Sequence, residues 1–296
     1  MIIGIIGSVS EQEPTQALLD LATTILEPRD GVSIRIEPRY YSYLHTQGVS
    51  MGNARSVSVM SDGACDLLIS IGGDGTFLRA AKQAAGTDAS VLGVNAGRLG
   101  FLATTQPDEL RESWHEILCG EVLSHEVRHL IHATIYDDCG KICLEGEALN
   151  EVGLIRRDMA SMISVRAHIN DAFVATYEGD GVLVATPTGS TAYALSANGP
   201  IIHPECEVLL LCPIAPHMLN MRPLIVPNSV RLDLSVESRS GTFLLALDGK
   251  STALSNKSRI SLETSEKSVK VAHIRKRYSY YSTLRNKLMW GQDARR

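Results

Sequence analysis

The feature that most constrains the fold of this chain is an apolar segment broken by glycines, LLISIGGDGTFLRAA at residues 67–81. Its first half is a continuous apolar run, which is typical of a strand that is buried on both faces. Its second half continues into TFLRAAKQAA, where apolar residues recur on one helical face and Thr76 is suited to be the N-cap. A buried strand that leads into a helix predicts an α/β fold in which helices cover a parallel sheet.

This alternation of strands and helices continues over the first third of the chain and then stops. Short strands are predicted in MIIGIIG, GVSIRIEP and ASVLGVNAG, so residues 1–103 are expected to form an α/β N-terminal domain. A helix is predicted from Pro107 to just before Gly120, and strand-length segments with period-two alternation follow it. We therefore predict a β-rich C-terminal domain over residues 104–274. The last segment, 275–296, is expected to pack back on the N-terminal domain.

The loop Gly72–Thr76 is a candidate phosphate site, because it joins a strand to a helix N-terminus. Backbone N–H groups and the positive end of the helix dipole favour phosphate there, and glycines allow a phosphate to come close to the backbone. A carboxylate at Asp74 repels phosphate, so it is better suited to accept a proton from an attacking hydroxyl or to act through a metal ion. The alternative is a plain strand-to-helix turn in which Asp74 caps the helix.

Two further stretches carry candidate binding residues. In TPTGSTAY, at residues 186–193, a proline and a glycine predict a tight bend lined by hydroxyls and free amides, where Tyr193 can stack on a ligand or hydrogen-bond to it. The alternative there is an ordinary polar turn. Asn150 and Glu151 place an amide beside a carboxylate at the end of a strand, which suits a ribose diol or an adenine amine.

Several function classes are excluded by what the sequence lacks. It has no G-x-x-x-x-G-K-[ST] loop and no G-x-G-x-x-G after the first strand, and DGKS at 248–251 lacks the required first glycine. The net charge of −5 argues against a nucleic-acid partner, and no apolar run is long enough for a membrane span. Six cysteines without a CxxC pair indicate free thiols in a reducing, cytoplasmic location.

Taken together, these stretches closely resemble the NAD kinase family. The matching motifs occur in the family's order and span most of the chain: GGDGT at 72–76, NAGRLGFL at 95–102, NE at 150–151, DGVLVATPTGSTAYALSANGPI at 180–201, RPLIVP at 222–227 and DG at 248–249. GGDGT alone is shared with diacylglycerol-type lipid kinases, whereas TPTGSTAY together with the NxGxLGF pattern is far more specific to NAD kinases.

The resemblance implies a two-domain fold with a sandwich-like C-terminal β domain and a site between the domains. It implies transfer of a phosphoryl group from ATP, which brings Mg²⁺, to the 2′-hydroxyl of the adenosine ribose of NAD, giving NADP. It further implies a homo-oligomer, dimeric or tetrameric, and it makes Asp74 the general base. The residues that correspond to the family's binding positions are Asp74, Gly75, Arg79, Asn150, Glu151, Asp180, Thr191, Ala192, Tyr193, Ala194, Leu195, Ser196, Ala215, Asp248 and Lys250. No metal ligands are assigned to the chain itself.

Two other functions and several details stay open at this point. A lipid kinase would need an acyl groove, which nothing in TPTGSTAY suggests, and a non-catalytic dinucleotide sensor would have no need for Asp74. Glu178 stands where many relatives carry a basic residue, which leaves the choice between NAD and NADH open. The sequence also leaves open whether polyphosphate replaces ATP, whether NADPH or NADH regulates the enzyme, and what Ser161 does.

Overall fold

The chain folds into two compact units in the structure, a computed structural model that describes residues 1–9, 14–58, 65–97, 100–120, 122–158, 161–275 and 278–289. Unit 1 comprises residues 1–127 and 269–296, and unit 2 comprises residues 128–268. The division therefore falls later in the chain than the expected residue 103, and the last residues of the expected β domain belong to unit 1.

Unit 1 is an α/β unit. Its elements in the first stretch of chain are β1 (Ile2–Gly7), α1 (Gln16–Leu26), β2 (Ser33–Ile36), α2 (Pro38–Thr46), β3 (Arg55–Ser56), β4 (Leu67–Gly72), α3 (Asp74–Ala84), β5 (Ser90–Asn95) and α4 (Pro107–Leu118). Two long strands, β6 (Leu123–Tyr136) and β17 (Arg259–Ile274), each begin in one unit and end in the other, and α6 (Tyr280–Leu288) completes unit 1.

The sheet of unit 1 is parallel and has the strand order β17–β5–β4–β1–β2–β3. Strands β4 and β5 are buried along their whole length, as their continuous apolar runs predict. Helix α4 belongs to this unit because Leu110, Trp114 and Ile117 enter its hydrophobic core. It begins at Pro107 as predicted, with a capping box between Gln106 and Glu109.

Unit 2 is a β-sandwich. Its remaining strands are β7 (Ile142–Ala148), β8 (Glu151–Arg156), β9 (Ile163–Ile169), β10 (Ala172–Gly179), β11 (Gly181–Ala185), β12 (Val208–Ile214), β13 (Leu224–Pro227), β14 (Leu232–Ser238), β15 (Thr242–Leu247) and β16 (Lys250–Ser255). One sheet has the order β13–β12–β11–β8–β15–β16, and the other contains β10–β9–β14 and the first half of β17, with β6 and β7 paired. Alternate residues of both sheets share one apolar core.

Two local expectations are wrong. Helix α3 begins at Asp74, with Gly73 in the extended conformation as its N-cap, so Thr76 lies inside the helix. The TPTGSTAY stretch forms a 3-10 turn (Thr188–Thr191) and one α-helical turn, α5 (Tyr193–Ser196), where a tight bend was expected. Within the described ranges, no helix combines the length and apolar character that crossing a membrane requires.

Candidate active site

The glycine loop lies between β4 and α3 in unit 1, and its three glycines have different surroundings. A Cβ at Gly72 would lie 2.5 Å from Thr76 Oγ1, so this position is glycine because the following helical turn packs against it. A Cβ at Gly73 or Gly75 would meet no described atom within 4 Å. Open space at the N-terminus of α3 is what an approaching phosphate requires.

The Asp74 carboxylate accepts hydrogen bonds from the loop that follows β5. Its Oδ2 accepts a hydrogen bond from the Phe101 N–H at 2.9 Å, and its Oδ1 accepts from the N–H groups of Leu102 and Ala103, both at 3.0 Å. A Cβ at Gly100 would lie 2.0 Å from Oδ1, so only glycine allows this close approach. The carboxylate thus joins α3 to the NAGRLGFL motif. None of the described side chains, including Asp74, caps α3, which argues against the helix-cap alternative.

The hydrogen bonds of Asp74 leave one acceptor position open. A carboxylate offers about four lone-pair sites, two on each oxygen. Two N–H groups occupy Oδ1, whereas a single N–H occupies Oδ2. Oδ2 is therefore the oxygen with room to accept a proton from a substrate hydroxyl.

Arg79 lies one turn further along α3, beside the end of β1. Its guanidinium donates to the Gly7 carbonyl at 3.0 Å and pairs with Glu37 at 3.2 Å. The side chain is still about half exposed, at 46%, so it can reach a bound anion. Its charge is shared with Glu37, which weakens the expected role as a dedicated phosphate ligand.

In unit 2, Asp248 holds the segment that contains Asn150 and Glu151. Asp248 occupies the turn between β15 and β16, in the left-handed conformation. Its carboxylate accepts from the N–H groups of Leu149, Asn150 and Glu151, at 2.9, 2.7 and 3.2 Å. As at Asp74, one carboxylate receives three consecutive backbone N–H groups. Asp248 thereby positions the Asn150–Glu151 pair.

Glu151 is a buried acid with a strongly raised pKa. Its residue is 9% exposed, and Oε2 has no hydrogen-bond partner among the described residues. Burial and then the neighbouring charge of Asp248 raise the pKa of Glu151 to about 7, while the Tyr193 N–H opposes the shift. Near neutral pH the side chain therefore exchanges a proton readily and can either donate or accept a hydrogen bond.

Most hydroxyls of the TPTGSTAY stretch donate to backbone carbonyls of the stretch itself or of the neighbouring Leu149. Thr186 donates to the Leu149 carbonyl at 2.6 Å, and Ser190 donates to the Pro187 carbonyl at 2.6 Å. A Cβ at Gly189 would lie 2.0 Å from the carbonyl oxygen of Asn150, so this glycine lets the two segments pack together. These groups shape the segment internally and do not line an open bend as expected.

The residues of the short helix α5 differ in their exposure to solvent. Tyr193 is 42% exposed, whereas Ala194 is buried. The Tyr193 ring is thus available to a ligand, and its N–H is the group that acts on the Glu151 carboxyl. Thr191 hydrogen-bonds to the Thr188 carbonyl at 3.2 Å, so its hydroxyl is also used internally.

The other expected residues of unit 2 lie at the ends of three strands. Asp180 pairs with Arg156 at 3.1 Å, and its N–H donates to the Ile214 carbonyl. Ala215 follows in the left-handed conformation, and Gly179 packs closely on its carbonyl oxygen. Lys250 is exposed at the start of β16. Asp74, Gly75 and Arg79 belong to unit 1, and all the other expected residues belong to unit 2.

Comparison with known proteins assigns the chain to a family. A family model described as the ATP-NAD kinase N-terminal domain matches residues 29–122, and one described as the ATP-NAD kinase C-terminal domain matches residues 149–274. An NAD kinase of Porphyromonas gingivalis is 40% identical over 293 residues, which cover 99% of each chain. An NAD kinase of Bacteroides fragilis is 43% identical over 232 residues, 78% of each chain. The chain belongs to the NAD kinase family.

Solved structures confirm the NAD kinase fold that the sequence predicts. Yeast NADH kinase, whose structure was determined in complex with NADH, matches with a TM-score of 0.88 and 21% identity, over 99% of this chain and 88% of that one. An NAD kinase of Archaeoglobus fulgidus in complex with ATP matches with a TM-score of 0.67 and 23% identity, over 98% of each chain.

Membership of the NAD kinase family confirms that the chain is a kinase, and it does not favour the lipid-kinase and sensor alternatives. The sequence predicts Asp74 and Asp248 as site residues, but it does not predict that each carboxylate accepts hydrogen bonds from three consecutive N–H groups. It also does not predict the close approach of Gly100 to Asp74 or the pairing of Arg156 with Asp180, although Gly100 lies within the quoted NAGRLGFL motif.

Proposed function

We propose that this chain transfers the γ-phosphoryl group of ATP to the 2′-hydroxyl of the adenosine ribose of NAD, forming NADP and ADP. The observation that carries the proposal is the geometry at Asp74, where one lone pair of Oδ2 remains open beside an N-terminal helix turn with room for phosphate. The family assignment of both matched segments supports the same substrates.

In the proposed reaction the chain's residues position the two substrates and remove one proton. Asp74 Oδ2 accepts the proton of the 2′-hydroxyl while the ribose oxygen bonds to the γ-phosphorus and the bond to the ADP oxygen breaks. A positioned base of this kind contributes about 10²–10⁴-fold to the rate. Mg²⁺ enters as part of the MgATP substrate, where it neutralises phosphate charge. N–H groups at the start of α3 add to that stabilisation.

In unit 2 we assign NAD binding to Asn150, Glu151 and Tyr193. Asn150 and Glu151 are placed by the Asp248 carboxylate, so they are preorganised for a ribose or base. The half-exposed Tyr193 ring offers a stacking face. Such contacts bind ground and transition states alike, so Glu151→Gln is expected to change KM for NAD more than KM for ATP.

The experiment measures NADP formation by the purified chain with ATP, Mg²⁺ and NAD. The product is detected with a dehydrogenase that accepts NADP but not NAD. Chelation of divalent cations should abolish the reaction, and diacylglycerol should not accept phosphate. Asp74→Asn should lower kcat by about 10²–10⁴-fold, with a much smaller change in NAD affinity measured by calorimetry. Lipid phosphorylation without NADP formation would overturn the proposal, and near-normal turnover of Asp74→Asn would remove Asp74 as the base.

The location and assembly expected from the sequence belong to the same proposal. All six cysteines are free thiols, which supports a reducing compartment such as the cytoplasm. A homo-oligomer, dimeric or tetrameric, is expected by analogy with the family, and light scattering of the purified chain tests it.

A further inference from the structure

A pocket of about 430 Å³ opens in unit 1 at the carboxyl ends of β1, β4 and β5. The chain leaves β1 towards β2 on one side and leaves β4 towards β5 on the other, although β1 and β4 are neighbours. The two connections therefore diverge and leave a crevice between them. Such a switch point is where open α/β sheets bind their ligands. The pocket is lined there by Ser8, which follows β1, and by Gly72 and Gly73, which follow β4.

The two ends of the pocket differ in chemistry. One end is formed by Gly72 and Gly73 at the N-terminus of α3, whose first turn leaves backbone N–H groups without intrahelical partners. This end suits phosphate. The other end is apolar and aromatic, and it is lined by Leu18, Leu19, Tyr40, Tyr43 and Leu44.

The aromatic end is built around two tyrosines of α2. Tyr40 and Tyr43 stack with ring centroids 5.9 Å apart and an angle of 23° between the rings. Tyr40 is buried against the end of β1, where a Cβ on Gly7 would lie 2.0 Å from its ring. Tyr43 is only partly buried, so its ring can cover a planar group.

One buried polar group on the pocket wall lacks a partner. The Asn95 residue is 2% exposed, and among the described residues its Nδ2 has no hydrogen-bond acceptor. The Tyr40 residue is 3% exposed, and burial, and then the neighbouring Tyr43, raise the pKa of Tyr40, so its hydroxyl stays neutral. Buried polar groups normally have partners, so an unpaired amide beside a pocket points to a ligand with a polar edge.

We propose that this pocket binds the nucleoside of the phosphoryl donor, with a purine ring at the Tyr40–Tyr43 end and the phosphates directed towards Gly72 and Gly73. The inference rests on the proposed function and makes the donor a nucleoside triphosphate. Inorganic polyphosphate has no base, so it would use the glycine end alone.

The test replaces Tyr43, because Tyr40 is part of the core. Tyr43→Ala should raise the dissociation constant and the KM for ATP by about tenfold or more, since stacking of a base on an aromatic ring is lost. KM for NAD and the melting temperature should change little, and Tyr43→Phe should behave like the wild type. Tyr41→Ala is the matched control, because Tyr41 lies on the same helix and packs on the same core without lining the pocket.

Direct ATP binding, measured by calorimetry without NAD, separates failure of the inference from failure of the proposed function. If the wild type makes no NADP but Tyr43→Ala still weakens ATP binding, the pocket assignment stands. If NADP forms and Tyr43→Ala leaves ATP affinity unchanged, or if KM for NAD rises in its place, the assignment is wrong. Turnover with inorganic tripolyphosphate that falls in Tyr43→Ala as much as turnover with ATP would also overturn it.

Discussion

Glu151→Gln should make unit 2 more stable at alkaline pH and leave its stability unchanged in acid. The pKa of Glu151 rises from 4.5 to about 7 in the folded chain, chiefly through burial. A raised pKa stabilises the fold fully below the unfolded value of 4.5, and this contribution is lost as the pH rises through about 7. At about 1.4 kcal/mol per pH unit, the loss at pH 8 is on the order of 3 kcal/mol. Glutamine resembles the neutral form of the acid and does not ionise, so the Glu151→Gln variant does not undergo this loss of stability.

The assay is hydrogen exchange of the backbone amides of β8, measured by mass spectrometry between pH 5 and 8 and corrected for intrinsic exchange rates. The stability of Glu151→Gln relative to the wild type should rise from pH 5 to about pH 7 and then level off. Glu237→Gln is the matched control, because it makes the same substitution at an exposed carboxyl of the same unit. Parallel pH profiles for the wild type and Glu151→Gln would refute the reasoning.

Two further predictions concern the carboxylates that bind three N–H groups. Asp248→Asn keeps a single carbonyl oxygen, so one N–H group loses its acceptor and unit 2 should be destabilised by about 1–3 kcal/mol. Hydrogen exchange of the backbone amides at 149–151 should become faster. Unchanged exchange at these amides would contradict the role of this contact. Gly100→Ala should displace the Asp74 carboxylate and lower kcat at least about tenfold, because proton transfer depends on position. Activity of Gly100→Ala equal to that of the wild type would argue against the role of the contact.

The sequence predicts elements well where their signals are local. The strands β4 and β5 follow from continuous apolar runs, and α4 begins at Pro107 because a proline followed by acidic residues favours a helix start. The start of α3 was predicted wrongly. Threonine is a good N-cap residue, and Thr76 therefore suggests a helix start at that position. In the structure the extended Gly73 is the N-cap, so the helix starts earlier. The Asp74 side chain accepts a hydrogen bond from Phe101, in a loop 27 residues further along the chain.

The sequence points to candidate site residues by their type, but it does not give their hydrogen-bond partners. Asp74 stands out among glycines, but its hydrogen-bond donors lie 27 to 29 residues further along the chain. Asp248 is nearly 100 residues from its donors, at separations of 97 to 99. The hydroxyls of TPTGSTAY have the composition of a ligand-binding bend, yet Thr186 and Ser190 bind backbone carbonyls. Residue types alone do not show whether these hydroxyls bind a ligand or the backbone, because the same hydroxyl donors serve in both cases.

The two-part composition of unit 1 has a consequence for synthesis on the ribosome. The amino-terminal part emerges first, but the segment of β17 that pairs with Ser90–Leu92 of β5 begins only at Lys270. At about 5–20 residues per second, translation of the intervening unit takes roughly ten seconds to half a minute. During that time this part of β5 lacks its β17 neighbour, and an uncovered strand edge favours association with other chains. Nascent chains of this protein should therefore depend on chaperones until the Lys270–Ala272 segment of β17 has been made.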